Sequence, residues 1–197
     1  MSNKDVGMTL FELHSYLKQA GFDRWGVSSA RLYSTNKDGQ TALDFLCSEF
    51  SVKGLKALSA TNYQFNIEDT YSHKVPSLTV ITSGNSLALD VLEVLYDNKF
   101  PINAQDENKN NALHLANSLA LKQESQFLIS YGIDYLAINS EGKNTFDTIP
   151  IAAERFMVPA INKTIKAYKK SSVSSLGTFS SLFHSNPVGK LKTRKLK

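Results

Sequence analysis

DENKNNALHLA, from Asp106 to Ala116, decides the fold, because similar stretches occur twice more in the chain. NKDGQTALDF begins at Asn36 and NSEGKNTFDT begins at Asn139. Each runs from a turn-forming polar group through a small or polar pair and an apolar residue to His or Asp. Phe146 follows Leu113 by 33 residues. Self-similarity at a fixed step of this length is typical of proteins built from stacked repeats.

A second landmark recurs at a similar step along the chain. YQFNI, FPINA and IDYLA are centred on Phe65, Ile102 and Tyr135, which lie 37 and then 33 residues apart. Between the two landmarks the apolar residues fall at helical intervals, as in 112–116 and 127–129. The pattern predicts a unit of turn, short helix, turn and second helix.

This unit resembles the ankyrin repeat, whose pattern runs D-x-x-G-x-T-P-L-H-x-A. The stretch 106–116 matches it from the aspartate to LHLA, with Lys109 where the family prefers glycine and Asn111 where it prefers threonine. Gly39, Thr41 and Gly142 restore those residue types in the neighbouring units. The resemblance covers residues 36–149, and it is loosest at 76–80, where the longer step implies an extended finger around 68–75.

The resemblance implies an all-α ankyrin-repeat solenoid of about four repeats, since a single repeat cannot bury its own apolar face. We assign residues 1–35 to N-terminal capping helices, 36–149 to the repeats and 150–170 to C-terminal capping helices. Pro159 is expected to start the second of these last helices, where its missing N–H costs nothing. Residues 171–197 form a Ser-rich basic tail that we expect to be disordered.

His114 is the residue that most invites a chemical role. In the ankyrin pattern this histidine sits at the start of the inner helix and hydrogen-bonds locally, tying neighbouring repeats together. Asp44 and Asp147 occupy the same position in their units, and both can accept from backbone N–H groups near a helix start. Cys47 falls where the family packs alanine. We therefore predict structural roles for His114 and Cys47.

Other chemistry has little support in the sequence. His14, His73 and His184 lack a carboxylate or cysteine at ligand spacing, and no phosphate-binding loop or nucleophile elbow occurs. We expect no catalytic residue, no metal, no cofactor and no small-molecule substrate. The alternative is an enzyme whose active site is assembled from residues far apart in the sequence.

Charge is unevenly distributed along the chain. Residues 1–162 carry 13 basic and 18 acidic side chains, whereas residues 163–197 carry nine basic ones and no acidic one. This argues against a nucleic-acid surface on the repeats. A single cysteine allows no intramolecular disulfide, and no signal peptide or transmembrane segment is recognisable, so a cytoplasmic protein is expected.

The resemblance places partner contacts on the finger tips and on the exposed side of the inner helices. The tip residues are Asp38, Gln40, Tyr71, His73, Lys74, Asn108, Asn110, Glu141 and Lys143; the inner-helix residues are Ser48, Glu49, Asn85, Ser86, Asn117 and Ser118. Because these side chains are polar, they favour hydrogen-bonded recognition of a protein or peptide by a monomer. The alternative is that these side chains contact only solvent. The extended finger is our hypothesis for a binding hot spot.

The tail ends in Lys190, Lys192, Arg194, Lys195 and Lys197. It allows four interpretations: a solvated tail, a secretion or sorting signal, a contact with an anionic membrane, and a nuclear localisation patch. The Asn- and Ser-rich composition is similar to that of ankyrin proteins that intracellular bacteria inject into host cells. We therefore expect a protein–protein interaction module, in the setting of such an effector. The alternative is a tether whose tail binds a membrane or nucleic acid.

Overall fold

The computed structural model describes residues 7–65 and 75–175. Within these ranges the chain forms nine helices, and its extended pairing is a single antiparallel bridge between Ile138 and Asn144. The prediction of an all-α fold is confirmed. The helices are α1 Leu10–Gln19, α2 Ser29–Leu32, α3 Ala42–Ser48, α4 Val52–Ser59, α5 Pro76–Thr82, α6 Ala88–Asp97, α7 Ala112–Ser118, α8 Lys122–Ser130 and α9 Ile151–Ser175.

The helices are arranged in pairs that follow one another along the chain. α3 packs on α4, α5 on α6 and α7 on α8. The first members of the pairs contact each other in the order α3, α5, α7, while α1, α4 and α6 contact each other in a second row. α9 packs on α8. A single core of buried apolar side chains runs through both rows, from Leu13 to Ile165.

Reciprocal caps start three of the helices. At α3, Thr41 Oγ1 accepts from the Asp44 N–H at 3.2 Å, and Asp44 Oδ2 accepts from the Thr41 N–H at 3.1 Å. The same exchange joins Thr9 with Glu12 at α1 and Asn111 with His114 at α7. Each cap satisfies N–H groups that the first turn of a helix leaves free, and stabilises the helix by about 1 kcal/mol.

α8 ends at a glycine for two reasons. Gly132 has a φ of 88°, and its N–H donates to the Ile129 carbonyl at 3.0 Å while the Ile133 N–H donates to the Leu128 carbonyl at 3.2 Å. This is the left-handed helix ending that glycine adopts most readily. A Cβ atom at this position would also lie 2.5 Å from the Tyr168 hydroxyl of α9. The absence of a side chain at Gly132 therefore leaves room for the Tyr168 ring against the end of α8.

The last predicted repeat begins at Asn139, and we call it the fourth unit. It has a turn where the resemblance implies an inner helix. Between Asn144 and Ile149 the chain forms successive turns, and Asn144 Oδ1 accepts from the N–H groups of Phe146 and Asp147 at 2.8 and 3.2 Å. An asparagine that bonds the backbone two and three residues on stabilises a turn without requiring a helix. Pro150 then leads directly into α9.

The prediction that Pro159 starts a second capping helix is wrong. α9 is one helix of 25 residues, and Pro159 lies inside it on the exposed side. A proline inside a helix leaves the carbonyl four residues before it without its N–H partner, and on the exposed side that carbonyl can bond water. α9 also continues to Ser175, so the first five residues of the predicted tail are helical.

Candidate interaction surface

Three five-residue turns, which we call the finger turns, lie at 36–40, 106–110 and 139–143. The first two precede α3 and α7, and the third precedes the turn at 144–149. In each, Oδ1 of the first residue accepts from the backbone N–H groups of the third and fifth residues. The distances are 3.0 and 2.9 Å at Asn36, 2.9 and 2.8 Å at Asp106, and 3.0 and 3.0 Å at Asn139. The first residue also donates its N–H to the carbonyl of the fifth. One local geometry thus recurs three times.

The fourth residue of each finger turn is left-handed. Gly39, Lys109 and Gly142 have φ values of 76°, 58° and 74°. A side chain in this conformation clashes with the following carbonyl oxygen, at a cost of about 1 kcal/mol or more, whereas glycine adopts it freely. The glycine preference that the sequence shows in two units therefore has a backbone cause, and Lys109 carries the strain in the third.

Lys109→Gly is expected to stabilise the protein by about 0.5 to 1 kcal/mol, because glycine relieves the left-handed strain and loses part of the gain through its freer unfolded state. The midpoint of urea unfolding measures the change. The matched control is Glu107→Gly in the same turn, where φ is negative and glycine should stabilise nothing. A Lys109→Gly midpoint at or below that of the unaltered protein would contradict the backbone argument.

Two of the finger turns are joined side by side. The Ser140 N–H donates to the Asn108 carbonyl at 2.8 Å, and Asn139 Nδ2 donates to Asn110 Oδ1 at 2.9 Å. Asn110 Nδ2 in turn donates to Asp106 Oδ2 at 3.1 Å. The Asn110 side chain is half-buried and occupied by these bonds. The two tips form one rigid unit, in which Asn108 and Glu141 are exposed.

His114 holds two units together. Its Nδ1 lies 2.8 Å from Asn111 Oδ1 and 3.3 Å from the Asn111 backbone nitrogen, and its Nε2 lies 3.3 Å from the Lys143 carbonyl oxygen of the next finger turn. Burial lowers the pKa of His114, and the Lys143 carbonyl partly opposes this. Both ring nitrogens of His114 are thus engaged by Asn111 and Lys143, which is the local structural role that the sequence predicts. Asp44 and Asp147 likewise accept from the backbone N–H three residues earlier.

The prediction that Asn117 faces a partner is wrong. This side chain is fully buried, donates through Nδ2 to the Thr145 carbonyl at 2.7 Å, and accepts through Oδ1 from the Ser125 hydroxyl at 2.8 Å. Thr145 belongs to the turn that replaces the fourth inner helix, so its carbonyl has no helical partner. Asn117 and the Thr148 hydroxyl both donate to this carbonyl at 2.7 Å, so Asn117 is a structural residue.

The inner-helix assignment of Asn85 and Ser86 is also wrong. α5 ends at Thr82, and both residues lie in the turn between α5 and α6. Pro76 stands at the first position of α5, as Ala112 does in α7, so Thr82 is the residue equivalent to Ser118. Pro76 could have marked the start of α5 in the sequence, because proline is common at first helical positions. The longer spacing between this unit and the next shifted the alignment that placed Asn85 and Ser86 on the helix.

The other predicted contact residues are distributed as follows. Asp38, Ser48, Glu49, Asn108, Ser118, Glu141 and Lys143 are exposed, and Gln40 is half-buried and accepts from Asn36 Nδ2 at 3.0 Å. Lys143 pairs with Glu141 at 2.7 Å, a surface contact that lowers the pKa of Glu141. Tyr71, His73 and Lys74, and the tail residues Lys190, Lys192, Arg194, Lys195 and Lys197, lie outside the described residues.

The inner helices carry a row of small hydroxyl side chains. Ser48, Thr82 and Ser118 are exposed at equivalent positions of α3, α5 and α7. Each hydroxyl donates to the carbonyl three residues earlier, at 2.8, 3.1 and 2.9 Å. The sequence identified Ser48 and Ser118 and missed Thr82. The row leaves the last turn of each inner helix open to a close approach.

The side chains that could take part in catalysis or metal binding are placed as follows. Cys47 is buried in α3, and burial raises its thiol pKa far above the usual range. Across residues 7–65 and 75–175 no cluster of three or more His, Cys, Asp or Glu side chains could hold a metal ion. Nor does any helix there have the length and apolar character of a membrane span. A cavity of about 450 Å³ opens between Gly21–Arg24 and Tyr33–Lys37.

No family model matches the chain, and no curated protein matches it. The geometry of the finger turns and inner helices therefore carries the functional argument.

Proposed function

We propose that this chain is an ankyrin-repeat solenoid that binds a partner protein or peptide through the finger turns and the exposed ends of its inner helices. One observation carries the proposal: the same finger turn, with the same side-chain bonds and the same left-handed fourth residue, recurs at 36–40, 106–110 and 139–143. At 36–40 and 106–110 it leads into a capped helix of seven residues. Recurrence of the turn together with the helical pair supports a repeat scaffold.

The chemistry of the surface supports a polar partner. Asp38, Asn108 and Glu141 are exposed at the tips, on turns whose backbone groups are already bonded. A side chain on such a turn loses little conformational freedom when it binds, which favours hydrogen-bonded recognition. The small side chains at Ser48, Thr82 and Ser118 leave space for the main chain of a partner. The partner class that fits is an extended polar segment of a protein.

We further propose that the molecule acts by binding alone, as an effector that a bacterium delivers into a host cell and that engages a host protein. The support is the resemblance in composition, together with the structural use of the two groups that most invited chemistry. His114 is engaged on both ring nitrogens by Asn111 and Lys143, and Cys47 is enclosed. A reporter enzyme fused to the chain and expressed in a bacterium with a host-directed secretion system tests delivery by its activity in host cytosol.

A photo-crosslinking experiment tests the binding surface. A benzophenone amino acid is placed at Asp38, Asn108 or Glu141 on the finger turns, and at Lys56, Glu93 or Lys122 on α4, α6 and α8 as matched exposed controls. After irradiation in eukaryotic cell lysate, we expect one host protein to be linked from all three finger positions and from none of the controls. Equal linkage from finger and control positions, or linkage from the controls alone, would reject the finger surface.

A further inference from the structure

α9 has a face whose character differs from the rest of the surface. Ala152, Arg155, Phe156, Pro159, Lys163, Lys166, Ala167 and Lys170 follow one another at steps of one, three or four residues, so they share one side of the helix, and all are exposed. We call them the α9 face. The opposite side is buried, with Ala153, Met157, Ile161 and Ile165 in the core. The α9 face is therefore firmly oriented toward solvent.

The α9 face carries four cations and no anion. No acidic residue follows Glu154 in the sequence, and residues 176–197 add five more basic residues. Among residues 7–65 and 75–175, no carboxylate forms an ion pair with Arg155, Lys163, Lys166 or Lys170. Lys169 is separate, because it lies over the Tyr135 ring at 5.8 Å. The positive charge of the face is free to act on a partner.

Large apolar side chains lie at the other end of the same helix. Phe156 on the α9 face is 44% exposed, and Ile151 at the start of α9 is 72% exposed. A helix that combines exposed cations with an exposed aromatic residue has the character of an interfacial helix, in which lysines meet anionic headgroups and the aromatic ring enters the boundary with the acyl chains. A nucleic-acid duplex, whose bases are already stacked, would use the cations but would leave Phe156 without a function.

We propose that the α9 face is a docking surface for an anionic lipid bilayer, with the helix lying in the plane of the interface. Lysine, a compact and strongly hydrated point charge, suits headgroup phosphates, whereas reading of base edges uses the planar donors of arginine and the amide side chains. The basic residues that follow α9 in sequence add charge of the same sign at the same end of the chain. The proposal is independent of the proposed function, because the finger turns and the inner helices contribute no residue to the α9 face.

Vesicle sedimentation with the full-length chain tests the proposal. The probes are vesicles of phosphatidylcholine alone and of phosphatidylcholine with phosphatidylserine. The test variant combines Lys163→Gln, Lys166→Gln and Lys170→Gln. The matched control combines Lys18→Gln, Lys56→Gln and Lys122→Gln, which removes the same charge from exposed positions of α1, α4 and α8. All six lysines are exposed, and equal urea midpoints verify that both variants fold.

We expect the unaltered chain to bind the phosphatidylserine vesicles and not the neutral ones. The α9 variant should bind them about 100-fold more weakly, because each lysine near an anionic surface strengthens binding about five-fold. The control variant should stay within a few-fold of the unaltered chain. Phe156→Ser should weaken vesicle binding several-fold at constant charge, and this effect would separate membrane insertion from attraction to any polyanion.

Three results would overturn the proposal. The first is equal vesicle binding by the α9 variant and the control variant, which would assign the affinity to the basic residues after 175. The second is binding to duplex oligonucleotides without binding to vesicles, which would assign the face to nucleic acid. The third is the absence of binding to both. Failure of the crosslinking experiment would leave these outcomes unchanged, so the two proposals are tested separately.

Discussion

Asn117→Ala is expected to lower the free energy of unfolding by about 2 to 4 kcal/mol. The substitution removes the 2.7 Å bond from Asn117 to the Thr145 carbonyl, which keeps the Thr148 hydroxyl as a donor, and removes the 2.8 Å bond from the Ser125 hydroxyl to Asn117. Each lost buried hydrogen bond costs about 1 kcal/mol, and the cavity left by the amide group adds to the loss. Urea unfolding followed by circular dichroism measures the change.

Cys47→Ala is the matched control, because Cys47 occupies the position of α3 that Asn117 occupies in α7, and it too is buried. That control removes one buried atom and should cost about 1 kcal/mol. Ser125→Ala should cost less than Asn117→Ala, and the double variant less than the sum of the two, since both residues share one hydrogen bond. Equal losses for Asn117→Ala and Cys47→Ala would show that the network does not stabilise the fourth unit.

Ile161→Ala is expected to lower the free energy of unfolding by about 2 to 4 kcal/mol as well. Ile161 lies in the middle of α9, is fully buried, and belongs to the buried side of α9, the helix that covers α8. Truncating it removes apolar contact and leaves a cavity between packed helices. Because α9 packs on α8, the loss should appear first in amide exchange of α8 and later in α3.

Phe156→Ala is the control on the same helix. Phe156 points away from the core and is 44% exposed, so its truncation should change stability by about 0.5 kcal/mol or less. Similar losses for Ile161→Ala and Phe156→Ala would mean that α9 does not act as the cover of α8. Faster exchange in α3 than in α8 would contradict the neighbour-by-neighbour order of opening. A nearly unchanged stability of Phe156→Ala would also make a change at this position usable in the vesicle experiment.

Much of the scaffold follows from local chemistry and was predictable from sequence. The pairs Thr41 with Asp44 and Asn111 with His114 cap helices three residues apart, so their function needs no distant partner. The left-handed position of the finger turn is visible as glycine in two of its three occurrences. The structural role of His114 was predictable because its cap partner, Asn111, is three residues away. Its contact with the Lys143 carbonyl, 29 residues away, could be expected only from the resemblance to a repeat.

The wrong assignments concern contacts between units. Asn117 is the sixth residue of α7, and the sixth residues of α3 and α5, Cys47 and Ile81, are buried as well. At this buried position an asparagine is satisfied because it donates to the Thr145 carbonyl, 28 residues away in the sequence. Asn85 and Ser86 were misplaced because the longer second unit shifts the alignment, while Pro76 fixes the start of α5. The sequence predicts a helix start at Pro159, because proline is common at first helical positions. Its actual place inside α9 is on the exposed side, and which side is exposed depends on the packing of α9 against α8.

The helical class, the recurring finger turn, the helix caps, and the contrast between the acidic residues 1–162 and the basic end were predictable from the sequence, because each depends on residues a few positions apart or on composition. The tertiary structure alone decided which polar residues are buried and that Thr82 joins the hydroxyl row. It also decided that α9 is one helix whose cations share a single exposed face. These features depend on which surfaces the neighbouring helices cover, and burial of that kind is settled by contacts between elements far apart in the chain.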